Sequence, residues 1–199
     1  MIVVGLTGGI GMGKSTAAAA FRRARIPVFD ADAAVHRLQA RGGGAVHAIG
    51  AAFPGTVVHG AVDRVRLRAA AVPDPAAMTR LERILHPMVR QAERGFLAAA
   101  RRAGARIAVL DIPLLLETGG QRRVDHVVVV SAPAAVQRAR VRSRRRMTPA
   151  QIDAIIARQM PDRTKRRLAD SVVHTGLSRF HAQMQLRRLV RRLREGDLP

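Results

Sequence analysis

The chain has 199 residues, 48% of them hydrophobic, with 35 basic and 14 acidic side chains and a net charge of +21. That length suits one compact α/β unit with insertions rather than two full domains, and the absence of cysteine excludes a disulfide framework and any thiolate metal site. No apolar run reaches the roughly 18 residues of a membrane span, and no basic stretch leads into an apolar one at the start, so a cytoplasmic protein without membrane attachment is expected.

The excess of positive charge admits nucleic acid, an anionic surface or a highly anionic small substrate as partner. Lys14 and Lys165 are the only lysines and all other basic residues are arginine, the mark of a compositional bias. With five Phe and neither Trp nor Tyr, the chain has few rings on which bases could stack. No specific nucleic-acid partner is therefore expected.

The first apolar run, Ile2–Thr7, reads as a buried strand. Residues Gly8 to Ser15 follow as G-G-I-G-M-G-K-S, which fits the phosphate-loop pattern G-x-x-x-x-G-K-[ST], and a helical stretch runs from Thr16 to Ala24. In such a loop successive backbone N–H groups point inward and hold phosphate oxygens, helped by the partial charge of the next helix N-terminus. Lys14 reaches for the β- and γ-phosphates, and Ser15 offers its hydroxyl to Mg²⁺.

Further strands are expected at Ile26–Phe29, Ile107–Leu110, His126–Val130 and Ser171–Val173. Their alternation with helices predicts a three-layer α/β core with a five-stranded parallel sheet, whose ligands bind beyond the strand carboxyl ends. Candidate functional residues fall at those ends. Asp30 and Asp32 follow the second strand. There Asp can cap the next helix or accept the proton of a substrate hydroxyl, and capping is assigned to Asp30 and catalysis to Asp32. Asp111 ends the third strand and either supports Mg²⁺ or starts the next turn.

The long interval from Ala33 to Ala103 reads as several helices with no clear strand. Met78, Leu81, Leu85, Met88, Val89, Ala92 and Phe96 recur at helical spacing and suit core packing, and Pro87 predicts a kink or a fresh helix start. A second helical block, Pro133 to Ala169, carries Arg138, Arg140, Arg142, Arg144, Arg145 and Arg146 and suggests a lid beside the nucleotide site. Arg140 and Arg144 are four apart and share a helix face from which guanidinium forks could reach phosphate. Thr148-Pro149 reads as an N-cap followed by proline at the first helical position. From Ser178 the tail is one amphipathic helix with Leu186, Leu189, Val190 and Leu193 on its packed side. The seven histidines show no metal-ligand spacing.

The run Gly5 to Thr16, then Asp30-Ala31-Asp32, Leu85-His86-Pro87, Asp111 to Glu117, Gln159 with Lys165, and Ala169-Asp170 resemble, in this order and over nearly the full length, the dephospho-coenzyme A kinase family. The resemblance implies a P-loop kinase that moves the γ-phosphoryl group of ATP, with Mg²⁺, to the ribose 3′-hydroxyl of dephospho-coenzyme A in the last step of coenzyme A synthesis. It implies a nucleotide-binding core (1–31, 104–132 and 170–199), a helical substrate region (32–103) and a lid (133–169). It places Gly11, Met12, Gly13, Lys14, Ser15 and Thr16 on ATP. It turns Thr7 and Asp32 toward the acceptor and makes Arg140 the lid arginine, with Arg138, Arg142 and Arg144 as alternative registers. Taken with the residue reading, the candidates are Asp32, Lys14 and Arg140 for catalysis, Thr7, Asp32, His86 and Arg144 for the acceptor, and Ser15 with Asp111 for the metal. A small-molecule substrate and a monomer are expected. The chain departs from the family at Met12, where serine is common, and at Thr175, where asparagine is common.

Overall fold

Short β-branched runs alternate with longer helical ones, and the sheet they build is parallel. The computed structural model describes residues 1–145, 148–157 and 159–197, with backbone alone at 144 and 145. In chain order the elements are β1 (Ile2–Thr7), α1 (Lys14–Arg23), β2 (Val28–Asp30), α2 (Ala31–Gln39), α3 (Val46–Ala52), β3 (Val57–Val58), β4 (Ala61–Val62), α4 (Arg64–Ala71), α5 (Pro75–Arg102), β5 (Ile107–Asp111), a 3₁₀ turn (Gly120–Arg123), β6 (His126–Ser131), α6 (Ala134–Arg145), α7 (Pro149–Ala157), α8 (Asp162–Arg167), β7 (Ser171–His174) and α9 (Arg179–Glu195).

The main sheet has the order β2-β5-β1-β6-β7. β1 pairs in parallel with β5, Leu6 opposite Asp111, and with β6, Thr7 opposite Val129. These strands are buried on both faces, as a parallel sheet between helical layers requires. One face supplies Val4, Leu6, Val109, Val128 and Val130 to a core closed by Phe21 of α1 and by Leu186, Leu189, Val190 and Leu193 of α9. The other face supplies Val127 and Val129, packed with Leu115 and Leu116. Gly5 lies on this second side, and a Cβ there would stand 2.6 Å from Leu115 Cδ2, so the space belongs to Leu115.

The chain divides into two compact units, Met1–Phe29 with Ala99–Pro199, and Asp30–Ala98. The second has its own core of Ala45, Ile49, Phe53, Val62, Leu67 and Leu85. It differs from the sequence reading in two respects. A hairpin joins β3 to β4 through His59 and Gly60, both at positive φ, the signature of a two-residue type I′ turn. α5 also runs without restart through Pro87. Proline removes one N–H from this ladder, while Leu81, Ile84, Leu85 and Met88 pack on the core on both sides of it.

The second strand begins at Val28 rather than Ile26. Ile26 N–H closes the end of α1 on Phe21 O (3.1 Å), and the sheet is joined at the Pro27 carbonyl, which accepts from Val109 N (2.9 Å). Asp30 caps α2 through Ala33 N (2.9 Å), Ser178 caps α9 through His181 N (3.0 Å), and Thr148 and Gln151 form a reciprocal capping pair at the start of α7.

Two outcomes follow. Phe21→Ala should lower stability by about 3–5 kcal/mol in urea unfolding, because the core that α1 and α9 share with the sheet loses a fully buried ring. His126 is buried with Nε2 2.9 Å from Ser171 Oγ. Burial pushes its pKa below the usual 6.5, with Asp170 opposing and Arg192 adding to the effect. Between that lowered folded value and 6.5 the unfolded chain binds more protons, so stability is full above about 6.5 and falls as pH drops below it. Thermal melts from pH 7.5 downward should show this fall, and His126→Gln should reduce its slope.

Candidate active site

The parallel register brings the carboxyl ends of β1, β5 and β6 to one rim, with β1 between its neighbours. The Gly8–Gly13 loop leaves β1 there and enters α1. Gly13 caps α1 at φ 94°, and a Cβ on it would lie 3.2 Å from Thr175 Oγ1. Gly11, at φ 75°, is more confined: its Cβ would meet Val141 Cγ2 at 2.8 Å and the Gln137 carbonyl at 2.9 Å. At both positions glycine supplies the left-handed backbone and the close approach that the loop requires.

Charged groups meet on this rim. Lys14 Nζ pairs with Asp111 Oδ1, across the step from β1 to β5 that the register creates. The Asp111 carboxylate therefore points at the phosphate-loop lysine. Ser15 is exposed in the first turn of α1. Thr7 is fully buried and donates its hydroxyl to Pro113 O (2.9 Å), which ties the end of β1 to the segment after β5.

Arg140 projects from α6 onto the loop. It donates to Thr175 O (2.6 Å), Thr175 Oγ1 (3.0 Å) and Gly11 O (3.4 Å). Thr175, 5% exposed, donates in turn to Met12 O (2.6 Å). A guanidinium is thus held beside the phosphate loop by a hydroxyl and carbonyl oxygens, none of which cancels its charge. Arg138 instead pairs with Asp153 (3.0 Å). Arg142 is exposed, and the Arg144 side chain lies outside the described residues.

The structure brings Thr7, Gly11 to Thr16, Asp111 and Arg140 together within one compact unit. Asp32 and His86 belong to the other unit, Asp32 exposed in the first turn of α2, two residues past β2, and His86 exposed on α5. Sequence reasoning gave no role to three residues that touch the loop. Thr175 is the first. Gln137 donates to Ile10 O and Gln159 accepts from Ile10 N, both at 2.9 Å. Gln137 lies in a helix rich in arginine and gave no periodic signal. Gln159 was visible only as a matched family position.

The comparisons with known proteins agree with this geometry. The dephospho-CoA kinase family model matches residues 2–178. The chain belongs to the dephospho-CoA kinase family. It is 55% identical over 194 residues to the dephospho-CoA kinase of Mesorhizobium japonicum, covering 98% of each chain. It is 54% identical over 190 residues to that of Rhodopseudomonas palustris, covering 96% of this chain and 94% of the relative. Among solved structures, TT1252 from Thermus thermophilus superposes with a TM-score of 0.84 at 34% identity over 95% of both chains. The family makes ATP the phosphoryl donor and a small molecule the acceptor, and the fold is that of P-loop kinases.

Thr175→Val should cost about 1–3 kcal/mol in urea unfolding, since the Met12 carbonyl loses its donor in a buried site. Thr175→Ser, which keeps the hydroxyl, should recover most of that loss.

Proposed function

We propose that this chain transfers the γ-phosphoryl group of ATP to the ribose 3′-hydroxyl of dephospho-CoA, giving coenzyme A and ADP. The observation that carries the reading is the family match over residues 2–178 joined to a complete phosphate loop whose lysine sits on the β5 carboxylate. The basic surface suits both substrates, which are phosphate-rich anions.

In this reading the residues take the following roles. Backbone N–H groups of Gly11 to Thr16 hold the phosphates of ATP. Lys14, now on Asp111, moves its charge to the phosphate oxygens when they enter the loop. The guanidinium of Arg140, held by neutral oxygens, stabilises charge that develops on the transferring group. Asp32 accepts the proton of the 3′-hydroxyl and orients that oxygen. Thr7 supports the acceptor side through Pro113, and His86 and Arg144 complete it. Residues 32–103 form the acceptor region and 133–169 the lid.

The donor set also fits Mg²⁺. Ser15 presents an exposed hydroxyl, Asp111 a carboxylate at the same rim, and among the described residues there is no cage of three His, Asp or Glu side chains. That set suits a cation that keeps several waters and takes its other ligands from substrate phosphates. When bound, Mg²⁺ supplies neutralisation of phosphate charge. The reading includes a cytoplasmic monomer, and light scattering should give a single species at the monomer mass. No helix among the described residues is long and apolar enough to cross a membrane.

The test is ADP formation from ATP and Mg²⁺ with dephospho-CoA as acceptor, and with shikimate, gluconate and adenosine as controls. Turnover should be strong with dephospho-CoA alone, and turnover with a control instead would refute the substrate. Asp32→Ala should lower kcat by about 10²–10⁴ with ATP affinity little changed. Lys14→Ala should impair ATP affinity and turnover together.

A further inference from the structure

We propose that Gln137 and Gln159 are positioning residues that grip the Ile10 peptide from both sides and set the phosphate loop before the nucleotide arrives. Ile10 stands between glycines, in a stretch that neither the sheet nor α1 orders. Its N–H is taken by Gln159 Oε1 and its carbonyl by Gln137 Nε2, each at 2.9 Å. Both amides come from far along the chain, Gln137 from α6 and Gln159 from the turn between α7 and α8. The space around them is already full, since a Cβ on Gly9 would stand 3.3 Å from each.

The clamp has its own support. Gln137 is only 6% exposed, so its amide has little freedom to leave. Beside Gln159, Met160 N donates to Glu117 Oε1 (3.2 Å), and that oxygen lies 2.7 Å from Nζ of Lys165, itself 1% exposed. An ion pair between a buried lysine and a partly exposed carboxylate thus stands behind the backbone next to Gln159. This gives Glu117, Gln159 and Lys165, matched family positions to which the reaction itself assigns nothing, one shared purpose. A loop whose N–H groups are pre-aligned binds phosphate without first being ordered, so the benefit falls on ATP rather than on the acceptor.

The two amides act with opposite polarity, and this makes the proposal testable by sign. Glutamate at 159 keeps the acceptor that Ile10 N–H needs. Glutamate at 137 replaces a donor by an acceptor facing a carbonyl. The kinetic part of the test rests on the function proposed above, whereas amide exchange does not.

The experiment measures hydrogen exchange at Ile10 by NMR in the nucleotide-free full chain, together with steady-state kinetics. Ile10 should be protected in the wild type. Exchange should accelerate about tenfold in Gln159→Leu and stay slow in Gln159→Glu, whereas Gln137→Glu should perturb it at least as much as Gln137→Leu. Each Leu variant should raise KM for ATP about tenfold while kcat and KM for dephospho-CoA stay within about twofold, and the double variant should fall short of the product of the two effects. An unprotected Ile10 in the wild type, a reading that needs no variant to fold, would overturn the clamp. So would equal behaviour of the two Glu variants, or a rise in KM shared by both substrates. If the wild type fails to phosphorylate dephospho-CoA, the functional reading falls, and Ile10 exchange still decides the clamp.

Discussion

With β1 hydrogen-bonded to β5 on one side and β6 on the other, the loop that leaves Thr7 emerges where the chain connections of the sheet diverge. A parallel sheet offers a ligand crevice at that point, because the segments following the neighbouring strands turn away from each other. Every contact at the site depends on this placement. The end of β5 supplies Asp111 to Lys14, and the segment after it supplies Pro113 to Thr7. The segments after β6 and β7 supply Arg140, Gln137 and Thr175 to the loop backbone. A register slip in β1 would turn Leu6 out of the core and uncouple both sets.

The loop is consequently held by hydrogen bonds to its backbone together with the buried Met12 side chain, whose sulfur accepts from Ala132 N (3.0 Å). Gly9, Gly11 and Gly13 leave room for the partners that hold the loop: two glutamines, a helix turn and Thr175. Thr175 is central to this arrangement, because one hydroxyl accepts from Arg140 and donates to Met12 O. Its side chain therefore joins the cation of α6 to the loop that would receive phosphate. The arginine-rich composition explains most of the surface charge, and Arg140 is set apart by where its oxygen partners lie, on the phosphate loop and on Thr175 beside it.

The legible parts of the chain were those in which a local pattern dictates a local structure. The phosphate loop, the five strands, the capping of α2 by Asp30 and the packed stripe of α9 all follow from residue type and spacing. The hairpin of β3 and β4 escaped because each strand has two residues, too few for a period. Of the two outcomes expected at Pro87, a fresh helix start does not occur, because packing along both sides of α5 outweighs one missing hydrogen bond. Gln137 and Thr175 drew no role because hydrogen bonds between residues more than a hundred positions apart leave no periodic trace. The fold and family were thus readable, while the groups that hold the loop in place were not.

The central claim is the destination of the phosphoryl group. ATP labelled at the γ-phosphorus, incubated with Mg²⁺, dephospho-CoA and the full chain, should yield coenzyme A carrying the label on its ribose 3′-phosphate, with one ADP formed per label transferred. Label appearing as free phosphate, or at any other position of the acceptor, would contradict the account.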